Sequence, residues 1–215
     1  MKELSKLATV SAAIGSNFDL IQGQGGNTSY KKDKSMWVKA SGKRLADALQ
    51  EEIFVHVDLD ICQQALLHED DTIIQSASVE GQRSTMRPSI ETSLHAVFES
   101  DYVLHTHAIN TIAVSVLRNA EEVLSEKLRE LSWGFVPYYK PGMALAKAID
   151  RLGCPSVVVL GNHGLVTSSN SLEEAKLLTD EVENRLRPST DIIDSTLSAS
   201  PSSIKGYVSL SSQLV

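Results

Sequence analysis

The segment Tyr102-Val-Leu-His105-Thr-His107 predicts a β-strand that carries two histidines. Successive side chains of a strand point to opposite faces, so His105 and His107 lie on the same face, close enough to share one metal ion. A His-x-His pair also occurs by chance, as two unrelated residues. The segment therefore predicts a strand and leaves the chemical role of its histidines open.

A third histidine follows a second apolar run. Residues 156–160, Ser-Val-Val-Val-Leu, predict a buried strand, and Gly-Asn-His163-Gly comes directly after it. Glycines on both sides allow the backbone to bend sharply around His163. Three histidines and one open coordination position are typical of a catalytic zinc site. His105, His107 and His163 are therefore candidate metal ligands, provided that the fold brings the two segments together.

The surrounding periodicity predicts a layered domain of mixed secondary structure. Helices are expected over 2–14, 89–98, 109–117, 121–131, 144–152 and 171–186, and strands over 36–40, 53–58 and 135–139. Ser171 and Glu174 form a capping-box pattern. Because strands and helices mix without a regular βαβ repeat, an α/β or α+β layered domain is favoured over a Rossmann or TIM fold.

Local sequence gives Glu91 an ordinary role. Pro88 and Ser89 are residues that begin helices, and an acid in the first turn is favoured by the helix dipole. His95 lies one turn further on and is expected to pack or to pair with Glu91. In this helix Ile90, with Leu94, Val97 and Phe98, is expected to face the core.

The glycine-rich segment 23–29 is predicted to be a flexible turn. It matches neither a Walker A motif nor G-x-G-x-x-G, but its backbone amides can form an anion-binding nest. Phosphate-compatible donors in and after this segment are Asn27, Ser29, Ser41 and the Gly42 amide, and Lys31, Lys39 and Lys43 add positive charge. On spacing alone, an ordinary hairpin loop and turn are favoured.

Composition excludes several classes of function. The 215 residues include 27 acidic and 20 basic side chains, a net charge of −7, which argues against broad binding to nucleic acid or an anionic membrane. No apolar run approaches the ~20 residues that span a bilayer, and no signal peptide is apparent. Two cysteines fit a reducing, cytoplasmic setting. Residues 1–188 are expected to form one domain and the Ser-rich residues 189–215 a tail.

Five segments, in order, resemble the class II aldolase/adducin family across roughly residues 5 to 187. They are Gly-Gly-Asn27-Thr-Ser, Val-Lys-Ala-Ser41-Gly42, Arg-Pro-Ser89-Ile-Glu91-Thr-Ser-Leu-His95, Val-Leu-His105-Thr-His107 and Val-Val-Val-Leu-Gly-Asn162-His163-Gly164-Leu. Each segment is weakly specific alone, whereas five in the family's order are strongly specific. Trp37-Val-Lys-Ala-Ser-Gly and Tyr138-Tyr-Lys-Pro-Gly142 resemble the aldolase-type half of bifunctional rhamnulose-phosphate aldolase/dehydrogenases more than they resemble the fuculose-phosphate enzymes.

The resemblance implies a three-layer α/β/α fold with a largely antiparallel central sheet, and a homotetramer with active sites between subunits. It implies that His105, His107 and His163 bind Zn²⁺, or another divalent transition metal, and that Glu91 is the catalytic acid/base. It assigns the substrate's phosphate to a pocket formed by Asn27, Ser41, Gly42 and Ser89. A tyrosine hydroxyl would donate a proton, with Tyr138, Tyr139 and Tyr207 as candidates.

The function implied by the resemblance is a zinc-dependent aldolase that cleaves or forms a carbon–carbon bond in a ketose phosphate through a metal-stabilised enediolate. Sugar-phosphate dehydratases, 4-epimerases and the non-catalytic adducin-like scaffold are the alternatives. Glu91 favours an aldolase or a dehydratase, since an aspartate there would favour an epimerase. Ile90 stands where fuculose-phosphate enzymes have a second serine. Burial is expected to raise the pKa of Glu91, and the metal ion to oppose that rise.

Overall fold

The structure is a computed structural model that describes residues 2–79 and 86–188. The predicted tail 189–215, and with it Tyr207, lies outside the described residues. No helix in the described part of the chain is both long enough and apolar enough to cross a bilayer.

Helices and strands alternate irregularly along the chain. The strands are β1 (Asn27–Lys32), β2 (Ser35–Lys39), β3 (Phe54–Asp58), β4 (Tyr102–Thr106), β5 (Trp133–Val136), β6 (Val157–Leu160) and β7 (Gly164–Ser169). The α-helices are α1 (Lys2–Ser16), α2 (Leu59–His68), α3 (Asp71–Ser76), α4 (Thr92–Ala96), α5 (Ile109–Ser115), α6 (Ala120–Leu128), α7 (Met143–Arg151) and α8 (Leu172–Leu186). A 3-10 helix covers Leu45–Asp47. Helix α8 begins as predicted, with the Ser171 side chain accepting from the Glu174 amide.

The seven strands of the described residues form one sheet in the order β3-β2-β1-β4-β7-β6-β5. Only the β5–β6 pair is parallel among them, which confirms the largely antiparallel sheet. Strand β4 is central, between β1 and β7. Its residue His105 lies opposite Asn27 on one side and Val166 on the other. The sheet therefore places the His-x-His segment in the middle of the domain.

Helices cover both faces of the sheet, so the expected three-layer arrangement is found. On one face Leu104, Val157 and Leu165 pack in a core with residues of α1, α6 and α8. On the other face Val103, Val158 and Val166 pack with α4 and α7, while α2 and α3 cover the β2–β3 end. Each fully buried Leu or Val contributes about 1.5–3 kcal/mol relative to exposure. Two apolar layers thus hold β4 rigidly from both sides.

The helix expected from Ser89 begins later than predicted. Helix α4 begins at Thr92, and Ser89 does not cap it: its hydroxyl accepts from the Glu91 amide within the preceding turn. The prediction that Ile90 faces the core is therefore wrong, and its side chain is 61% exposed. The predicted helical spacing starts at Ser89, which lies in the turn before the helix, so it misassigns the face on which Ile90 lies.

Two strands escaped prediction. Residues 27–29 belong to β1 rather than to a flexible turn, and β7 follows His163 directly. β1 (Asn-Thr-Ser-Tyr-Lys-Lys) is largely polar and β7 (Gly-Leu-Val-Thr-Ser-Ser) is half polar, yet both are mostly buried between neighbouring strands instead of alternating in exposure. Helices α2 and α3 were also missed. β1 and β7 each pair with β4, which is distant from both in sequence, and this pairing is not visible in local sequence.

Candidate active site

The three candidate ligands meet at one end of the sheet. His105 is in β4, His107 follows that strand, and His163 lies in the turn between β6 and β7. In that turn Asn162 has a φ of +51°, and Gly164 lies against the carbonyl of Thr106 with no space for a Cβ. One ligand atom from each histidine lies within 4.8 Å of the other two. The fold therefore brings together the residues that the sequence had left in separate segments.

His105 is oriented by a backbone carbonyl. Its Nδ1 lies 3.1 Å from the oxygen of Leu165, which only accepts, so Nδ1 carries the proton and Nε2 keeps a free lone pair. That Nε2 is buried and has no hydrogen-bond partner in the part of the chain that is described. Burial lowers the pKa of His105 to about 4 and also lowers the pKa of His107. His105 and His107 thus favour the neutral imidazole form that binds metals, and three clustered imidazoles fit a divalent transition metal.

Glu91 faces this cluster. Its Oε1 lies 3.2 Å from Nε2 of His163 and 3.5 Å from Nε2 of His105, and its Oε2 accepts from the Asn27 amide at 2.6 Å. Burial raises the pKa of the Glu91 carboxyl, but the nearby His105 and His163 lower it by a larger amount. The net shift is therefore downward. Burial thus acts in the expected direction, but the neighbouring histidines outweigh it. The carboxylate is ionised at neutral pH and points at the histidines.

A cleft of about 270 Å³ opens onto this group. It is lined by Glu91, two of the histidines, the glycine-rich loop, and the predicted anion-binding residues Asn27, Ser41, Gly42 and Ser89. Lys39 is the one cationic side chain among its described lining residues. The Lys39 Nζ donates to the carbonyls of Gln24 and Lys43, at 2.9 and 2.8 Å, and so joins the loops on either side of the cleft. Candidate metal ligands and candidate anion-binding groups therefore line the same cleft.

Several predicted residues occupy other environments. Asn27 lines the cleft but also donates one amide N–H to Glu91, whereas Ser29, with its hydroxyl 2.8 Å from Nδ1 of His95, does not line the cleft. Neither Tyr138 nor Tyr139 is among the cleft's described lining residues. Tyr139 instead lines a separate cavity beside α7. The described chain thus brings no tyrosine hydroxyl to its own cleft.

The sequence missed the Ser29–His95 contact. It predicted that His95 would pack or pair with Glu91, whereas the ring bonds to a strand 66 residues earlier. The alternation of Asn27 and Ser29 on one face was the available signal, but it is visible only once 27–32 is recognised as a strand.

Gly25 allows a test of the histidine cluster in which no candidate ligand residue is replaced. A Cβ at Gly25 would lie 2.5 Å from Nδ1 of His107, so Gly25→Ala is expected to displace that ring and weaken metal binding at least about tenfold, within the range for residues that orient ligands. Gly23→Asn is the control, because Gly23 has open space around it and a φ of +61° that asparagine tolerates. Competition with a chromophoric chelator measures both affinities. Equal affinities in the two variants would contradict the assignment of His107.

Comparisons with known proteins agree on one family. The family model described as Class II Aldolase and Adducin N-terminal domain matches residues 5–188. The uncharacterized oxidoreductase YuxG of Bacillus subtilis is 29% identical over 189 residues, which cover 80% of this chain and 27% of that protein. The chain therefore spans about a quarter of that relative's length. The L-fuculose phosphate aldolase of Methanococcus vannielii is 25% identical over 173 residues, which cover 76% of this chain and 82% of the relative.

A solved structure supports the fold. The N-terminal class II aldolase domain of a conserved protein from Thermoplasma acidophilum superposes with a TM-score of 0.73 at 26% identity, covering 86% of this chain and 92% of that one. Its agreement with the seven-stranded sheet and its helical layers confirms the predicted fold class.

Proposed function

The chain belongs to the class II aldolase and adducin family, and from that membership we propose that it is a metal-dependent aldolase acting on a ketose phosphate. The observation that carries the proposal is the meeting of Glu91 with three clustered histidines, two of which line the same cleft as Glu91. A fold retained only as a scaffold has no need for a buried ionised carboxylate facing unpartnered imidazole nitrogens, because such groups are costly to bury.

We propose that His105, His107 and His163 hold the metal ion, with Zn²⁺ as the first candidate. The orphaned Nε2 of His105 and the close approach of all three donor atoms support this assignment. A bound divalent ion would supply a Lewis acid for the negative charge that develops when the carbon–carbon bond breaks. Neutral imidazoles also bind Fe²⁺, Co²⁺ or Mn²⁺, so metal analysis of the purified protein decides the identity.

We propose that the substrate's phosphate binds at the opposite side of the cleft, against Ser41, Gly42 and Ser89. Lys39 adds positive charge there: burial lowers its pKa to about 8, which keeps the ammonium mostly protonated at neutral pH. The exposed Ile90 side chain also lines the cleft. One N–H of the Asn27 amide bonds to Glu91, and Asn27 also lines the cleft, so in this proposal Asn27 orients that carboxylate beside the anion.

Glu91 would move the proton. Its Oε2 accepts from Asn27, whereas its Oε1 faces the histidine cluster, 3.2 Å from Nε2 of His163, so we assign Oε1 as the atom that accepts a proton. The ionised state at neutral pH suits a base that takes a proton from the substrate and returns it to the carbon beside the carbonyl.

We propose that the protein assembles as a homo-oligomer, a tetramer by analogy with the family. An exposed apolar patch supports this: Phe18, Ile109, Val116 and Leu117 are 44–76% exposed, and the backbone bond from Ile109 to Asp19 places Phe18 beside α5. A neighbouring subunit would then supply the tyrosine hydroxyl that this chain does not bring to its own cleft.

The direct test is a cleavage assay on purified protein with L-fuculose 1-phosphate and other ketose 1-phosphates. We expect a three-carbon keto phosphate and an aldehyde as products, loss of the activity after chelation, and its recovery with Zn²⁺. Loss of water would indicate the dehydratase alternative, and inversion at one carbon the epimerase alternative. A protein that binds metal and converts none of these substrates would contradict the proposal and favour the scaffold.

A further inference from the structure

Helix α4 cannot position itself. It is five residues long and has no side-chain hydrogen bond at its N-cap, where Glu91 sits with φ −98° and ψ 12°. Helices far shorter than about 12 residues are unstable alone in water, so tertiary contacts must fix their place. Because the Glu91 carboxylate is at the start of α4, its position relative to the histidines depends on those contacts.

Two hydrogen bonds join α4 to β1 with matching spacing. Asn27 and Ser29 are two residues apart on one face of the strand, about 6.7 Å along it. Glu91 and His95 are four residues apart, about 6 Å along a helix. Asn27 bonds to Glu91 at 2.6 Å and Ser29 bonds to Nδ1 of His95 at 2.8 Å. The contacts therefore form two parallel hydrogen bonds between β1 and the α4 segment.

The hydrogen bond between Ser29 and His95 is entirely buried. Ser29 and His95 are both fully shielded from solvent, and Nε2 of His95 has no hydrogen-bond partner within the described residues. The Ser29 hydroxyl is therefore the side-chain contact that sets the orientation of the His95 ring. A hydrogen bond in such surroundings is strong, and removing one partner leaves the other unsatisfied.

We infer that Ser29 and His95 are positioning residues, whose hydrogen bond fixes the rotation and height of α4 on β1 and thereby holds Glu91 against the histidine cluster. The inference rests on the proposed role of Glu91. Neither residue touches the substrate cleft. Their effect would be exerted on the distance of 3.2–3.5 Å between the carboxylate and the imidazoles, a separation at which small displacements are costly for reaction rate.

The test compares Ser29→Ala with a matched control. Ser29→Ala is expected to lower kcat at least about tenfold, with KM changed less than about threefold and metal content unchanged. Ser11→Ala is the control, because it removes an equally buried hydroxyl bond of 2.7 Å, to Thr28, on the opposite face of β1. Its kcat should stay within about twofold, and Ser29→Thr, which keeps the hydroxyl, should restore most of the rate.

Two further measurements identify the route of the effect. In a Glu91→Gln background, Ser29→Ala should cause no additional loss of rate, since residues that act as a unit are not additive. Amide exchange should quicken at His95 and Val97, whose N–H groups bond within α4, and stay unchanged in β6 and β7. The exchange result does not require turnover, so it remains decisive if the wild-type protein cleaves no ketose phosphate. Unchanged exchange, loss of metal, or an equal loss of kcat in Ser11→Ala would overturn the inference.

Discussion

Glu91→Gln is expected to retain about one metal ion per chain and to lose roughly 10³-fold in kcat, within the range for removal of a general acid/base. The glutamine side chain keeps the size of glutamate and can still accept a hydrogen bond from Asn27. The loss of rate therefore reports on the carboxylate oxygen that accepts the proton. Steady-state kinetics with metal analysis of the same preparation measure both quantities. The metal is retained because three imidazoles supply the ligands.

Glu183→Gln is the matched control for that experiment. Glu183 is also buried, and its carboxylate accepts from the amide and hydroxyl of Thr111, at 2.9 and 2.6 Å, away from the cleft. Its replacement should reduce stability and leave kcat within about threefold. A rate for Glu91→Gln close to that of the wild type would refute the assigned role. Loss of metal from Glu91→Gln would instead make the carboxylate a ligand.

The histidine cluster was the part of the site most accessible from sequence, because local geometry relates two of its three residues. Period two places His105 and His107 on one face of any strand, and flanking glycines mark His163 as a turn residue. The antiparallel pairing of β4 with β7 then brings the two segments together. That pairing was missed, so from the residues alone the meeting of the three histidines was a hypothesis.

Glu91 shows why local reasoning falls short. Its spacing from Pro88 predicts an acid that stabilises a helix start, and this is a correct description of many such residues. Its actual surroundings come from Asn27 and His163, which are 64 and 72 residues away. Ile90 was misplaced for a related reason, since a turn precedes α4 and shifts the helical phase. Long-range packing, rather than propensity, determines both.

The second large effect is expected from the metal ligands. His105→Ala and His107→Ala should each reduce the metal content from about one ion per chain to less than about a tenth, and abolish cleavage. The two variants differ usefully, because His105 is fully buried and its loss leaves a cavity, whereas His107 is only partly buried. His68→Ala, at an exposed histidine at the end of α2, is the control and should keep its metal.

Thermal unfolding separates loss of the site from loss of the fold. A ligand at 100 times its Kd stabilises a protein that binds it by about 2.7 kcal/mol, so added Zn²⁺ should raise the Tm of the wild type and of His68→Ala. It should leave the Tm of His107→Ala unchanged while that variant still unfolds cooperatively. A cooperative His107→Ala protein that keeps one ion per chain would locate the metal elsewhere. Glu91 would then face an ordinary cluster of buried histidines, and the scaffold would become the better account of this fold.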